Sequence, residues 1–130
     1  MKKMTVMIAA YNSASAERVI KRAKENFGLK KGARVLKANG AKVIFVSGLI
    51  QKTVKDLTEL DRYKDYDMLI IPAYPEDFDA KPNTFDAKVH VNNKLGFSVF
   101  VCGVQKSGRE EDVKESAGFL CEIIRNNLGL

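Results

Sequence analysis

Four short apolar runs along the chain predict β-strands. They lie at Met4–Ala10, Lys42–Val46, Met68–Ile71 and Phe97–Cys102. Runs of this kind are too short for helices, and their apolar character is typical of parallel strands that helices cover on both faces. Pro72 stops the third run abruptly. The pattern therefore predicts four parallel strands in a buried sheet.

Apolar residues recur at three- and four-residue spacing after the first strand and near the end of the chain, which predicts amphipathic helices. The first helix carries an apolar stripe at Val19, Ile20, Ala23 and Phe27. Ser13 or Ser15 can cap this helix. Glu17 then lies in its first turn, where the helix dipole favours an acid. The last predicted helix is Glu110–Leu128. Its inward-facing residues are predicted to be Val113, Ala117, Leu120, Cys121, Ile124 and Leu128.

Two shorter segments also predict helical structure. Thr53–Tyr63 has apolar residues along one side, and Ala33–Ala38 predicts a helical turn or two. Gly40 would close that turn, because glycine is common just past the end of a helix. The composition of Pro75–Leu95 suits a long loop, and a short extra strand at Ala87–Val91 is the alternative.

Strands and helices alternate throughout the sequence. This order predicts a single domain over residues 1–130, with a three-layer, doubly wound α/β fold and a parallel sheet of four to five strands. No internal repeat, low-complexity run or linker divides the chain. Only four strands are clear, so one sheet edge is expected to lie uncovered. An uncovered edge favours a homodimer, because exposed edges invite pairing.

Composition and length restrict the class of protein. The chain has 130 residues, 45% of them apolar and 29% charged, which is typical of a globular domain. No apolar run approaches the roughly 20 residues that a helix needs to cross a bilayer. The first apolar run superficially resembles a signal peptide, but it is short and strand-like. We therefore expect a cytoplasmic protein with no membrane segment.

Basic residues concentrate between positions 21 and 42, and the net charge of the chain is +6. The basic set is Lys21, Arg22, Lys24, Lys30, Lys31, Arg34, Lys37 and Lys42. Such a surface could meet nucleic acid, an anionic membrane or an acidic protein, and a simple solvated face is the alternative. Phe27 is the only aromatic residue among these basic residues, and no zinc-finger or RNP-like sequence accompanies them. We therefore do not expect nucleic-acid binding.

Several classes of enzyme are disfavoured because their motifs are missing. No Gly-x-Gly-x-x-Gly follows a strand and no Gly-x4-Gly-Lys-Ser/Thr occurs, which argues against Rossmann dinucleotide binding and P-loop phosphotransfer. His90 is the only histidine, and nothing places a nucleophile beside it. We expect a surface or loop histidine and no hydrolytic device. Cys102 and Cys121 lack metal or redox spacing, which predicts buried free thiols and no metal site.

The exits of the predicted strands carry the candidate chemistry, because open α/β sheets bind ligands at the carboxyl ends of their strands. The first exit leads into a helix, whose free N–H groups make a natural anion site. Its polar residues are Tyr11, Asn12, Ser13, Ser15 and Arg18. Arg18 adds positive charge to this anion site if its side chain turns back. The alternative to an anion site is that the serines only cap the helix. The third exit, Pro72 to Pro75, presents the ring of Tyr74.

The sequence resembles the flavodoxin-like proteins, small doubly wound domains that hold FMN at the carboxyl edge of the sheet. The resemblance rests on three segments, Ala9–Val19, Leu57–Tyr74 and Phe97–Gln105. It covers most of the chain, from Met4 to about Leu128. It implies a flavodoxin-like fold and an electron-transfer flavoprotein rather than a hydrolase or a transferase.

The resemblance also implies where FMN would bind. The family's hydroxyl-rich phosphate motif falls on Tyr11–Ala16, where Ser13 keeps one hydroxyl and Ser15 substitutes in part. Tyr74 matches the position that stacks on the isoalloxazine ring, and Gly103–Gly108 matches the second flavin-facing loop. The implied cofactor-binding set is Tyr11, Asn12, Ser13, Ser15, Arg18, Pro72, Ala73, Tyr74, Gly103 and Gln105.

The sequence is therefore compatible with two functions. The first is FMN binding and electron transfer with an unidentified redox partner. The carboxylates of Glu76, Asp77 and Asp79 would then lower the reduction potential, unless they form only a solvated acidic turn. The second is a flavodoxin-fold module that has lost FMN and serves as an interaction or small-anion-binding domain. The basic surface favours it, and so does the replacement of the motif glycine and a hydroxyl by Ala14 and Ala16.

Overall fold

The structure is a computed structural model that describes residues 2–130. Its strands are Met4–Ala9 (β1), Val35–Ala38 (β2), Ala41–Phe45 (β3), Met68–Ala73 (β4) and Ser98–Gly103 (β5). Its α-helices are Ser13–Asn26 (α1), Ile50–Thr53 (α2), Thr84–Asn93 (α3) and Glu110–Leu128 (α4). A 3-10 helix covers Leu57–Tyr63.

The strands form one five-stranded sheet in the order β2-β3-β4-β1-β5. β1 lies in parallel register between β4 and β5, and β3 runs parallel to β4. β2 pairs antiparallel with β3 at the edge. The α/β class, the four predicted parallel strands and the predicted number of four to five strands are therefore confirmed. The prediction of a wholly parallel sheet is wrong at this edge, because β2 is antiparallel.

The order of the parallel strands differs from the flavodoxin order 2-1-3-4-5, in which the first strand lies between the second and the third. Here β1 lies between β4 and β5, and β3 pairs with β4 instead of with β1. The sheet therefore shares the class of the resembled family without sharing this strand order.

Side chains of the central strand alternate between two hydrophobic clusters, one on each face of the sheet. Val6 and Ile8 join the cluster that α1 and α4 complete. Met7 points to the opposite face, where it meets residues of the 3-10 helix and α3. All six inward residues predicted for α4 are buried. Helices thus cover both faces of the sheet, as the continuous apolar strands require.

The segment predicted to be a helical turn, Ala33–Ala38, instead contains β2, so that prediction is wrong. Asn39 and Gly40 join β2 to β3, and both have positive φ angles, 51° and 77°. Two such residues form a type I′ turn, which matches the twist of a hairpin and prefers the sequence Asn-Gly. The Asn39 side chain also donates to the Leu128 carbonyl at 2.9 Å. The Asn39-Gly40 pair indicates a hairpin turn more specifically than Gly40 alone indicates the end of a helix.

The helix predicted over Thr53–Tyr63 is observed only in its second part, as the 3-10 helix Leu57–Tyr63. α2 ends at Thr53, and the 3-10 helix starts at Leu57 after a new N-cap, Asp56. The Asp56 carboxylate accepts from the Thr58 N–H, and the Glu59 carboxylate accepts from the Asp56 N–H. This capping box begins a separate helix, which breaks the predicted one.

The segment Pro75–Leu95 is part loop and part helix, because α3 occupies its second half. Asn83 caps α3 by accepting from the Phe85 N–H at 2.8 Å. Ala87 and Val91 are four residues apart and both buried, which is the spacing of a helix face. The alternative of a strand at Ala87–Val91 is therefore wrong.

Within residues 2–130, no helix combines the length and the apolar character that crossing a membrane requires.

Replacing Gly40 with alanine tests the hairpin turn. A Cβ atom there would meet nothing within 4 Å, so the cost is that of a left-handed backbone alone. We expect Gly40→Ala to lower the free energy of unfolding by about 1–2 kcal/mol, measured by urea titration. Gly118→Ala is the matched control, since α4 also leaves it open space. It should raise stability by roughly 0.5–1 kcal/mol. Equal losses in both variants would contradict the assigned turn.

Candidate functional site

The carboxyl ends of β1 and β4 lie side by side, and their connections leave towards opposite faces of the sheet. β1 leads into α1 on one face, and β4 leads to α3 on the other. In open α/β sheets, ligands usually bind in the crevice between loops that diverge in this way. We call the residues around it the switch-point site: Tyr11, Asn12, Ser13, Lys52, Tyr74, Asp77, Phe78 and Lys106.

α1 begins at the switch-point site with Asn12 as its N-cap. The Asn12 backbone is extended, and its Oδ1 accepts from the Ala14 N–H at 2.8 Å. The predicted caps Ser13 and Ser15 are wrong, because both already lie within the helix, and Glu17 falls beyond its first turn. Among residues 2–130, no acceptor contacts the N–H groups of Ser13 and Ser15. Ser15 is buried, so the Ser13 N–H is the donor that remains available to an anion.

Two lysine side chains from other elements contact Ser13 and Tyr11, the residues on either side of the N-cap. Lys52 of α2 donates from Nζ to Ser13 Oγ at 3.2 Å. Lys106, in the loop after β5, places its Nζ 4.3 Å from the centroid of the Tyr11 ring. Within the described chain, neither ammonium group has a carboxylate within 4.0 Å. The positive end of the α1 dipole adds to the positive electrostatic potential that these two ammonium groups create.

Tyr11 and Asp77 connect the loops on the two sides of the crevice. The Tyr11 hydroxyl donates to the Asp77 carboxylate, with distances of 2.9 and 2.8 Å to its two oxygens. This hydrogen bond raises the pKa of Tyr11, and desolvation and the negative charge of Asp77 add to it. The predicted acidic turn therefore contains one carboxylate that faces the site.

Phe78 covers the ring of Tyr74. The two ring centroids are 4.1 Å apart, and the ring planes meet at 16°, which is a stacked pair. Tyr74 also packs against the core on the α1 side of the sheet. The Tyr11 ring lies 6.2 Å from Phe78. The tyrosine predicted to stack on a flavin thus stacks on a residue of its own loop.

Gln51 holds the backbone on both sides of this loop. Its Nε2 donates to the Pro82 carbonyl at 2.8 Å and to Thr84 Oγ1 at 2.9 Å, while its Oε1 accepts from the Tyr74 N–H at 3.0 Å. The Thr84 hydroxyl in turn donates to the Tyr74 carbonyl. Sequence reasoning did not name Gln51 or Thr84. Their polar side chains become informative only once α2 and α3 are known to approach the same loop.

Arg18 does not turn back towards the first loop. Its Nη1 donates to the Gly108 carbonyl at 3.0 Å, and its other terminal nitrogen pairs with Glu110. Gly108 has a φ angle of 61°, and a Cβ there would lie 2.9 Å from Ser15 Oγ. The Arg18 side chain therefore fastens α1 to the loop after β5, and it leaves anion binding to Lys52 and Lys106.

The remaining predicted site residues are distributed along the strand ends. Pro72 and Ala73 are buried within β4, because this strand continues past the proline to Ala73. Gly103 ends β5, and Gln105 is exposed in the following loop. The side chains of Pro72 and Ala73 therefore face the interior and not the crevice.

His90 lies on α3 and is partly buried, so it is not a loop histidine. Its Nε2 is 2.7 Å from Asp61 Oδ1, and its side chain is 13% exposed. The prediction of buried free thiols is confirmed, since Cys102 and Cys121 are both buried and unpaired. Burial raises the pKa of each thiol. In the described part of the chain, no three metal-ligating side chains cluster.

The basic set is divided among several places. Four of its lysines, Lys21, Lys24, Lys30 and Lys31, line a groove of about 710 Å³ beside α1 that also contains Glu17 and Glu25. Lys37 and Lys42 stand opposite each other on the hairpin. Arg22 pairs with Glu110 at 2.6 Å. The basic residues therefore do not form one continuous stripe.

Comparisons with protein-family models, with curated proteins and with solved structures found no match for this chain. The flavodoxin resemblance therefore stays a prediction.

The loops in this arrangement do not fit FMN. Phe78 occupies one face of Tyr74, and the Asp77 carboxylate lies beside Tyr11. Ala14 and Ala16 supply no hydroxyl to a phosphate. A phosphate group alone fits better, because it needs only the first turn of α1 and the two lysines.

Gln51→Ala should loosen the loop that carries Tyr74. The variant loses three hydrogen bonds in a partly buried setting, so we expect the free energy of unfolding to fall by about 1–3 kcal/mol. Amide hydrogen exchange at Tyr74 should also become faster. Gln105→Ala is the matched control, because that side chain is exposed, and it should change stability by no more than about 0.5 kcal/mol. Unchanged exchange at Tyr74 in Gln51→Ala would refute this role.

The contact between Tyr11 and Asp77 predicts a pH dependence. The Tyr11 phenol should titrate above its usual pKa of about 10, and Asp77→Asn should lower that midpoint. Because the pKa is raised on folding, the stabilising contribution is complete below the unfolded pKa. It is lost as the pH rises through the folded pKa. The measurement is phenolate absorbance, with Tyr11→Phe subtracted to isolate one of the four tyrosines. An identical midpoint in Asp77→Asn would contradict the contact.

Proposed function

We propose that this chain binds a small anionic ligand whose phosphate, or similarly charged group, lies on the first turn of α1. The observation that carries the proposal is that Lys52 contacts Ser13 and Lys106 lies over the ring of Tyr11, so that lysines from two different elements approach both neighbours of the N-cap. Neither lysine is neutralised by a carboxylate in the described chain, and the turn has a free N–H group at Ser13. Two ammonium groups beside a helix N-terminus favour an anion over any cation.

The individual donors match a tetrahedral oxyanion. The Ser13 hydroxyl already accepts from Lys52, so its own hydrogen is free to donate to a ligand oxygen. The Ser13 N–H would supply a further donor. Hydrogen bonds to charged groups stabilise by about 1.5–3 kcal/mol each, so a few of them support micromolar binding.

Asp77 limits the orientation of the ligand. A second anionic group placed beyond Tyr11 would meet the Asp77 carboxylate and be repelled. The uncharged part of the ligand would therefore extend towards Tyr11 and Phe78, where aromatic rings are available. This arrangement favours a ligand with one charged end and one apolar or planar end.

FMN binding with electron transfer is the alternative that the flavodoxin-like resemblance implies. It requires Phe78 to leave Tyr74, and it rests on the flavodoxin-like resemblance, to which no comparison adds support. The unidentified redox partner, the cytoplasmic location and the homodimer likewise stay predictions.

Calorimetric titration with inorganic phosphate tests the proposed site. Lys52→Ala and Lys106→Ala should each weaken phosphate binding roughly tenfold to a hundredfold, the effect of one lost charge-assisted hydrogen bond. Lys37→Ala is the matched control, because Lys37 is an exposed lysine on β2, and it should leave the affinity within about twofold. Equal losses in all three variants would show general charge attraction and would refute the site.

A parallel titration with FMN separates the two candidates. If phosphate binds while FMN fluorescence is not quenched, anion binding stands without the flavin. If FMN is quenched and Tyr74→Ala weakens it, the flavin candidate replaces the first. Absence of binding by both ligands would refute both.

A further inference from the structure

β5 forms one edge of the sheet. It pairs with β1 on one side, and within residues 2–130 no strand pairs with its other side. The Ser98 N–H donates to the Lys3 carbonyl and the Val104 N–H to the Ala9 carbonyl, so the even-numbered residues of β5 face β1. Hydrogen-bonding directions alternate along a strand. The outward N–H and C=O groups are therefore those of Val99, Val101 and Gly103.

The β5 edge lacks the protection that natural edges usually have. None of its six residues is charged. Phe100 and Val101 are each 40% exposed, and Phe119 of α4 is 47% exposed with its ring 5.9 Å from that of Phe100. The opposite edge, β2, carries the exposed Lys37, a common device against unwanted pairing. An uncharged edge beside exposed aromatic rings is typical of a surface that pairs with another strand.

The rim of this edge is acidic although the protein as a whole is basic, with a net charge of +6. α4 contributes Asp112 and Glu115 to a groove of about 220 Å³ against β5, and Glu111 and Glu122 to the adjoining surface. Arg109 lies 3.7 Å from Glu111 and 3.6 Å from Asp112. In the described chain, Glu115 and Glu122 have no basic partner within 4.0 Å, although Lys114 lies on the same surface.

We propose that the β5–α4 surface, defined by Val99, Phe100, Val101, Gly103, Glu115, Phe119 and Glu122, binds an extended segment of a partner protein in which apolar and basic residues alternate. Main-chain hydrogen bonds to the outward groups of β5 would add the segment as a sixth strand. Successive side chains of this strand would point to opposite faces of the sheet. Its basic side chains would extend along Phe100 and Phe119 to reach Glu115 and Glu122 on the α4 face, and its apolar side chains would cover Val99 and Val101 on the other face.

Charge complementarity selects this partner over a second copy of the chain. A two-fold dimer through β5 would use the same patch on both subunits. The acidic rim of one copy would then face the acidic rim of the other, which is unfavourable for like charges. A basic segment meets the rim with opposite charge.

Amide hydrogen exchange on the full-length chain, followed by NMR, tests the proposal with two synthetic peptides. One peptide alternates lysine with valine, and its matched control alternates glutamate with valine. The lysine peptide should slow exchange at the Val99, Val101 and Gly103 amides by at least about tenfold, since each gains an acceptor. The glutamate peptide should leave these amides unchanged.

Two variants separate strand addition from general charge attraction. Val101→Pro removes the central outward N–H and is compatible with an edge strand whose N–H faces solvent, so it should abolish the protection. Glu115→Lys should weaken binding of the lysine peptide by roughly twofold to tenfold, as expected for an exposed charge contact. Glu25→Lys on α1 is the matched control for that change and should have no effect. Thermal unfolding shows whether each variant is folded. If Val101→Pro does not fold, Glu115→Lys still tests the proposal.

Three outcomes would overturn the proposal. The first is equal binding of the two peptides, and the second is protection confined to amides outside β5. The third is concentration-dependent dimerisation that protects the same β5 amides without any peptide, because a second copy would then be the occupant.

Discussion

The pairing of β1 with a strand on each side organises the rest of the molecule. Its central residues are fully buried, and its parallel register with β4 and β5 brings Ala9 level with both Ala73 and Gly103. The Ala10 N–H donates to the Ala73 carbonyl and the Val104 N–H to the Ala9 carbonyl, which extends the alignment just past the strands. The loops that carry Tyr11, Tyr74 and Lys106 therefore emerge together.

Two kinds of polar contact then hold these loops, and they differ in strength. Gln51 is partly buried and bonds to backbone groups on both sides of the Tyr74 loop. Arg18 and Glu110 form an exposed ion pair, with side chains 43% and 61% exposed. Exposed pairs contribute little because water and salt screen them. We infer that the Tyr74 loop is fastened more firmly than the loop after β5.

Sequence patterns were sufficient where local periodicity and burial agree. α4 matches its predicted bounds because an apolar stripe runs through all of Glu110–Leu128. The pattern misled at Ala33–Ala38, where a short apolar stretch fits helix and strand equally and the Asn-Gly turn decides. It could not show Gln51 beside Tyr74 or Arg18 beside Glu110. Those partners are 23 and 92 residues apart and meet only through the topology of the sheet.

Phe78 acts as an internal competitor at the switch-point site. A planar ligand that replaces Phe78 on the ring of Tyr74 binds only to copies of the protein in which Phe78 has moved away. Its measured affinity is the intrinsic affinity multiplied by that open fraction, so an open fraction of about one in a hundred weakens binding about a hundredfold. A ligand held through its charged group alone avoids this loss. The stacked pair thus discriminates between ligands by how much of the crevice they must occupy.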